Sequence, residues 1–501
     1  MIEAVERANV LRGATTLGIR SICSLLVGLA YFALLGRVVG VEGMGVVSIL
    51  SLFYTLFPLV LTVATPTAIT KYIGESLGRG DGESVAGLLK TTLGLSLCLG
   101  GAGTLVAWYL SNTLSTLFLN GKNVFSLQLL SIAIGTFIAS TILSAAFGGF
   151  QRFERLSLIS FTGSASGQTL SAGLLLLGYG IPAFISSWIV ENLINITLML
   201  SLFPRASRKS NRMYPVRPLF AFGIPLFAAT AISYLGSNVF VRLLILGSFT
   251  LSTLGEYEAA LRLAGVVAVF FNAFLSSLFP HLSKVYGRVG GVAVERDANW
   301  AFRLSSLVFA PILVGGALVS SFVFTLLLGT PFSNAALIFS VFMAFAIPAH
   351  LLSVFLLSVQ ALGRSIQILL IQASATLVQV LSCLVLARYG FLGVAVGAST
   401  LGLAASALGS YAFKRDLNAT VDWSGALRYV LSALCMIPPV YALLALLPEP
   451  VFLPVHIGVG VATYLGIVRM SGGVRESDLE ALSLLLPKSL RPIALRILGH
   501  G

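Results

Sequence analysis

Apolar runs, separated by short polar breaks, recur along almost the whole chain. Many reach about 18 residues, enough to cross a hydrocarbon core about 30 Å thick as a helix. Tracing the runs against their breaks predicts helices at 14–36, 46–70, 87–110, 126–148, 156–178, 181–203, 219–247, 254–280, 301–327, 335–361, 366–387, 391–413, 426–446 and 451–469. A membrane β-barrel would alternate polar and apolar positions, whereas Leu174–Leu177 and Val341–Ile347 are apolar on every side. The predicted class is an all-α integral membrane protein of about 14 transmembrane helices, an even count that puts both termini on one side. Pro58, Pro66, Pro225 and Pro348 fall inside predicted helices and are expected to bend them.

Composition agrees with this pattern. Of 501 residues, 57% are hydrophobic and only 10% charged, well short of the roughly 25% charged residues of soluble domains. The net charge of +13 does not mark a nucleic-acid binder, because the basic residues sit in short segments between apolar runs. Alternate connections and the two termini hold about 25 of the 31 basic residues, from Arg7 and Arg12 through Arg152, Arg155 and Lys284 to the tail; the other connections hold only Arg37, Lys122 and Arg388. That separation predicts a cell-membrane protein with both termini cytoplasmic. The opening MIEAVERANVLRG reads as part of the first helix region and not as a removable signal. Cys23, Cys98, Cys383 and Cys435 lie in apolar runs without metal or redox spacing and read as small buried hydrophobes.

The tail from Ser471 is interrupted by Pro487 and Pro492 and is too broken to span. Ser477 followed by Glu480 forms a capping-box pattern that predicts a short helix from Asp478 to Leu486, lying amphipathically on the cytoplasmic surface.

An internal repeat runs through the chain. Gly45 matches Gly255, Gln151-x-x-x-Arg155 matches Gln360-x-x-x-Arg364, and Tyr179-Gly180 matches Tyr389-Gly390, all at an offset of about 210 residues. Pro66 and Lys71 pair more loosely with Pro280 and Lys284. The offset spans six helices, so the halves are parallel repeats. The expected organisation is an N-lobe over 1–210, a C-lobe over 211–415, two appended helices over 416–470 and a cytoplasmic tail over 471–501.

Six helices, six helices and two more, with the paired Gln151–Arg155 and Gln360–Arg364 connections and the Gly45 turn, resemble the Wzx-type polysaccharide flippases of the multidrug/oligosaccharidyl-lipid/polysaccharide (MOP) exporter superfamily. The opening RANVLRGATTLG and the tail's ESDLEALSLLLP also resemble segments of that family. The resemblance implies alternating-access transport of a glycan on a polyprenyl phosphate or pyrophosphate carrier, from the cytoplasmic to the outer leaflet. It also implies a cleft lined by helices one, two, seven and eight.

A charge at membrane depth costs about 2.5–3.5 kcal/mol on insertion scales, so buried charges are functional candidates. Arg20 shares a polar stripe with Thr16, Ser24 and Gly28; Arg242 has Asn238 and Tyr234 at four-residue steps; Arg262 follows Glu258 by four. Guanidinium groups in a dry site suit a phosphate headgroup, which makes Arg20, Arg242, Arg262, Asn238 and Tyr234 candidate substrate contacts. The plainer alternatives are snorkelling for Arg20 and Arg242 and a structural pair with Glu258 for Arg262. Glu191, Glu258 and His350 are candidate ion-coupling groups, Glu191 near mid-helix and His350 otherwise a packing residue.

No Ser-His-Asp grouping, phosphate-cradling Gly-Lys-Ser/Thr loop or His-Glu-x-x-His pattern occurs, so the expectation is a transporter, not an enzyme, without cofactor or metal. The expected partners are the lipid-linked glycan, membrane lipids and a coupling ion, H+ or Na+, with the chain acting as a monomer. Two alternatives stand beside this reading: a cation-coupled drug antiporter of the same superfamily, which would favour acidic cavity residues, and a membrane glycosyltransferase or glycan polymerase, which would need a long acidic outer loop.

Overall fold

The structure is a computed structural model. It describes residues 2–203, 212–472, 474 and 478, without the side chains of 2–26, 153, 154, 225, 226, 229, 277, 280 and 365. Seventeen α-helices follow in order: α1 (Ile2–Thr62), α2 (Thr65–Gly78), α3 (Gly82–Leu119), α4 (Val124–Gly149), α5 (Phe153–Leu176), α6 (Gly180–Ser201), α7 (Val216–Tyr234), α8 (Val241–Ser248), α9 (Leu251–Val289), α10 (Gly291–Leu318), α11 (Ser320–Leu328), α12 (Ser333–Ala361), α13 (Ser365–Leu386), α14 (Phe391–Leu417), α15 (Trp423–Leu434), α16 (Ile437–Leu446) and α17 (Leu453–Met470). No strand occurs among the described residues.

Among the described residues, twelve helical stretches are long and apolar enough to cross a membrane, against the fourteen expected. Two features account for the difference. Val27–Thr62 counts as one stretch, although Gly40 (φ 68°, ψ −174°) breaks α1 into two helices where the sequence predicts two spans. The 24-residue α5 is long enough to span, but its FTGSASGQT segment makes it too polar to qualify.

Several predicted helices are subdivided. Val63 and Ala64 take positive φ values, so Pro66 opens α2 instead of bending a continuous helix. Pro58 and Pro348 do lie inside helices; the side chain of Pro225 lies outside the described residues. A π-helical turn, Leu235–Phe240, joins α7 to α8. Pro438 and Pro439 restart the chain as α16 after the break at Cys435 and Met436.

The chain forms two compact units. The first comprises Leu26–Arg242 with Thr250–Gly255; the second comprises Leu243–Phe249 and Glu256 onward, together with the start of α1. In the first unit α3 packs on α4, α4 on α6 and α5 on α6, with α2 against α3, α4 and α7. In the second, α10 packs on α12, α12 on α14 and α13 on α14, with α15 and α17 alongside α10. The same order of partners, third on fourth, fourth on sixth and fifth on sixth, therefore occurs in each predicted repeat.

Apolar residues fill both interiors and also cover the outside, as in α3, where Leu97, Leu105 and Tyr109 are exposed. Such a surface suits lipid and not water. Cys383 is buried as expected, but Cys98 and Cys435 are exposed on these outer faces; the side chain of Cys23 lies outside the described residues. Of the tail, only Ser471, Gly472, Val474 and Asp478 are described, and the predicted surface helix otherwise falls outside them.

Candidate functional site

Arg242 and Asn238 meet as their spacing predicts, and Tyr234 bonds the same stretch of α1 as Arg242. The π-helical turn carries Asn238, whose side-chain oxygen accepts from Arg242 Nη1 at 3.0 Å and whose carbonyl accepts from the same nitrogen at 3.3 Å. Arg242 Nε donates to Ser48 Oγ at 3.0 Å, and the Tyr234 hydroxyl donates to the Leu52 carbonyl at 3.3 Å. The α7–α8 segment is thereby tied to the second half of α1, and Arg242 is only 6% exposed inside the Thr230–Ser248 span. Its fork is held in one orientation by these bonds, so the guanidinium is pre-organised and not snorkelling.

Arg262 and Glu258 form the predicted pair, Nε to Oε1 at 2.8 Å, with Glu258 buried and the arginine side chain 31% exposed. Two residues before Glu258, Glu256 accepts from Asn334 Nδ2 at 3.0 Å, a bond the sequence does not announce. His350 is half-buried with its ring 4.7 Å from that of Phe271. Arg20 lies on α1, but its side chain is outside the described residues.

Glu191 lines a cavity of about 360 Å³ wholly within the first unit, bounded by α1, α4, α5 and α6. The Tyr54 ring stacks on Trp188 at 4.0 Å between centroids and 10° between planes, and the Tyr54 hydroxyl accepts from Asn192 Nδ2 at 2.9 Å. Asn195 contributes a buried side-chain oxygen with no hydrogen-bond partner among the described residues. The cavity wall depends on two glycines of α5. A Cβ at Gly163 would strike the Asn195 side-chain oxygen and lie 2.8 Å from the Glu191 carbonyl oxygen; one at Gly167 would strike the Ser187 carbonyl and lie 3.3 Å from Glu191 Cβ. This Gly-x-x-x-Gly step lets α5 approach α6 closely enough to enclose the carboxyl. A carboxylate, an orphaned amide oxygen and several hydroxyls, Thr141 and Ser160 among them, form an oxygen-rich chamber able to hold a proton or a small cation.

Sequence reasoning singled out Glu191 but missed the partners that make a chamber around it. Trp188, Asn192 and Asn195 share the helix face of Glu191 at three- and four-residue steps, a signal present in the sequence, but Tyr54 is 138 residues from Asn192. Arg303 is also missed as a built site by sequence reasoning. It lies in α10, 9% exposed, and binds Asp422 (Nη1–Oδ2, 3.0 Å) and Asp478 (Nε–Oδ2, 3.3 Å).

Among solved structures, this architecture is similar to the lipid II flippase MurJ in an inward closed conformation, at TM-score 0.72 and 16% identity, covering 91% of this chain and 98% of that one. It is also similar to an inward-facing multidrug resistance MATE family transporter of the MOP superfamily (TM-score 0.68, 15% identity, 83% and 98% covered). A MOP superfamily transporter from Pyrococcus furiosus gives TM-score 0.58 at 14% identity, with 82% and 97% covered. These likenesses establish a MOP-type fold. The sequence has no significant match among curated proteins. Residues 34–337, which include the Arg242 cluster, the Glu191 chamber and the Arg262–Glu258 pair, match the family described as Polysaccharide biosynthesis protein, and the chain belongs to that family.

Proposed function

We propose that this protein moves an oligosaccharide carried on a polyprenyl phosphate or pyrophosphate from the cytoplasmic to the outer leaflet of the cell membrane by alternating access. The observation that carries the reading is Arg242: a permanent cation, 6% exposed at membrane depth and held by Ser48 and Asn238, in a chain of the polysaccharide biosynthesis family. Membrane insertion disfavours such a group by about 2.5–3.5 kcal/mol, and an anionic headgroup gives it a use. Arg262 and Arg20 are the further headgroup contacts in this reading, with Asn238 and Tyr234 orienting Arg242. The basic connections support a cytoplasmic position for both termini.

The Glu191 chamber supports ion coupling. Its carboxyl takes up H+ or Na+, and the absence of an ATP-binding loop in the sequence makes an ion gradient the natural driving force. Glu258 is assigned to holding Arg262, and His350 to packing against Phe271. The protein is a carrier and not an enzyme in this reading, and works as a monomer.

The test is translocation itself. Vesicles reconstituted with the protein should expose a labelled polyprenyl-pyrophosphate oligosaccharide to an external glycosidase faster than protein-free vesicles. Equal rates would refute the assignment.

A further inference from the structure

A second built feature lies in the other unit, at the end of the Gln360–Arg364 connection. The first turns of α13 and the last turns of α14 run antiparallel, and between them a groove of about 570 Å³ opens to the outside. Its polar end holds Arg364, Gln367 and Arg415; its walls are Leu370, Leu408 and Tyr411.

One carboxylate organises the polar end. Asp416, 9% exposed at its side chain, lies 2.9 Å from Arg415 Nη2 and 4.0 Å from Arg364 Nε. With the Gln367 amide turned to satisfy both its groups, its nitrogen donates to Asp416 Oδ2 at 2.9 Å and its oxygen accepts from Arg415 at 3.0 Å. Both arginines stay mostly exposed, at 60% and 59% of their side chains. Arg415 is held by these bonds and Arg364 stands at the limit of ion-pair distance, and neither is covered. Lys414 adds a third positive charge to the last turn of α14, so three cations stand against one acid.

Beyond this charged end Leu370 (62% exposed) offers apolar surface toward the middle of α13, Ile366 (76%) stands level with that end in the first turn, and Tyr411 (65%) stands at the rim. Exposed apolar side chains rising from a pair of guanidinium groups, at the end of two membrane helices, match one ligand shape: an anionic head with acyl chains. Tyrosine at that depth is the residue type that sits among headgroups. Gln367 and Asp416 have no counterpart in the first repeat, where the matching positions are Leu158 and Ala206. The site is thus a feature of one half and not a by-product of the shared fold.

We propose that this groove binds an anionic glycerophospholipid of the leaflet on the basic side of the protein. Its phosphate lies between Arg364 and Arg415, and its acyl chains lie along Leu370 and Leu408. The lipid would fasten α13 to α14 at their shared end. The site needs no glycan cargo and stands or falls separately from the transport assignment.

The test uses the full-length protein, delipidated in neutral detergent and offered phosphatidylglycerol or phosphatidylcholine, with bound lipid counted by native mass spectrometry. The wild type should retain phosphatidylglycerol preferentially, and R364A/R415A should lower that retention about tenfold or more. Equal retention of both lipids by the wild type, or undiminished phosphatidylglycerol on the double variant, would overturn the proposal. Should the double variant not fold, a photoactivatable phosphatidylglycerol on the wild type decides the matter. Adducts on peptides covering 364–371 and 408–415 support the site, and adducts confined elsewhere contradict it. A short-chain polyprenyl phosphate that displaces phosphatidylglycerol from these peptides at lower concentration would assign the groove to cargo and overturn the lipid assignment.

Discussion

Gly45 and Gly255, which match each other at the repeat offset, pack backbone to backbone: a Cβ on Gly255 would lie 2.8 Å from the Gly45 nitrogen and strike the Val41 carbonyl, and one on Gly45 would strike the Leu251 carbonyl. The repeated glycine is therefore a crossing point where α1 and α9 meet at backbone distance. Close approach of this kind, not turn conformation, explains why both positions lack a side chain.

Any side chain at either position should force the helices apart. G255A and G45A are expected to destabilise by about 1–3 kcal/mol, the usual cost of overpacking, whereas G28A, with no atom within 4 Å of its Cβ, should be neutral or slightly stabilising. Thermal unfolding in detergent, followed by far-UV circular dichroism, measures the difference. Equal midpoints for G255A and G28A would contradict the crossing.

Arg303 joins α10 to the cap of α15 and to the tail. Asp422 accepts from the Gly425 amide at 3.1 Å and also holds Arg303, while Asp478 is fully buried against the same guanidinium. Removing one partner of a buried ion pair costs up to about 3–5 kcal/mol. R303A leaves two acids facing an empty position and should lower the unfolding midpoint more than D478N, which leaves the Arg303–Asp422 pair in place. The reverse order would show that the tail contact is incidental.

Asp81 caps α3, and hydrogen bonds from Ser84 hold its carboxyl below the usual aspartate range. A folded-state value below the unfolded one means that the cap stabilises above about pH 4, and that the contribution fades as pH falls through the depressed value. D81A should therefore unfold earlier than wild type at pH 7, with the gap closing as pH falls below about 4. A gap that persists unchanged in acid would rule out the ionised cap.

If Glu191 takes up the coupling ion, an inward H+ or Na+ gradient should accelerate wild-type transport and leave E191Q near its gradient-free rate. Stopped-flow measurement of glycan exposure in vesicles with imposed gradients separates the two. An E191Q protein that still responds fully to the gradient would exclude the chamber from coupling.

Much of this structure is legible in the sequence because it rests on local pattern. Apolar runs mark the helices, the offset of about 210 residues marks the repeat, and the four-residue step from Asn238 to Arg242 marks the bonded pair that joins the π-helical turn to α8. What the sequence hides depends on distance along the chain or on competing local chemistry. The stacking of Tyr54 on Trp188 is invisible among many aromatic residues, and the acids that meet Arg303 lie 119 and 175 residues away. Breaks within runs escape notice for a different reason. Val63 and Ala64 carry no turn residue of their own, and nothing in the pattern separates Pro66, where the chain breaks and restarts as α2, from Pro58 and Pro348, which lie inside helices.

The central claim is that a buried cation receives an anionic headgroup, and the direct measurement is the translocation rate of a labelled polyprenyl-pyrophosphate oligosaccharide in vesicles containing wild type, R242K or R242A at matched protein content. The account predicts a loss of at least about tenfold for R242A and partial recovery for R242K, since lysine restores charge without the bidentate fork. Wild-type rates in R242A would contradict it.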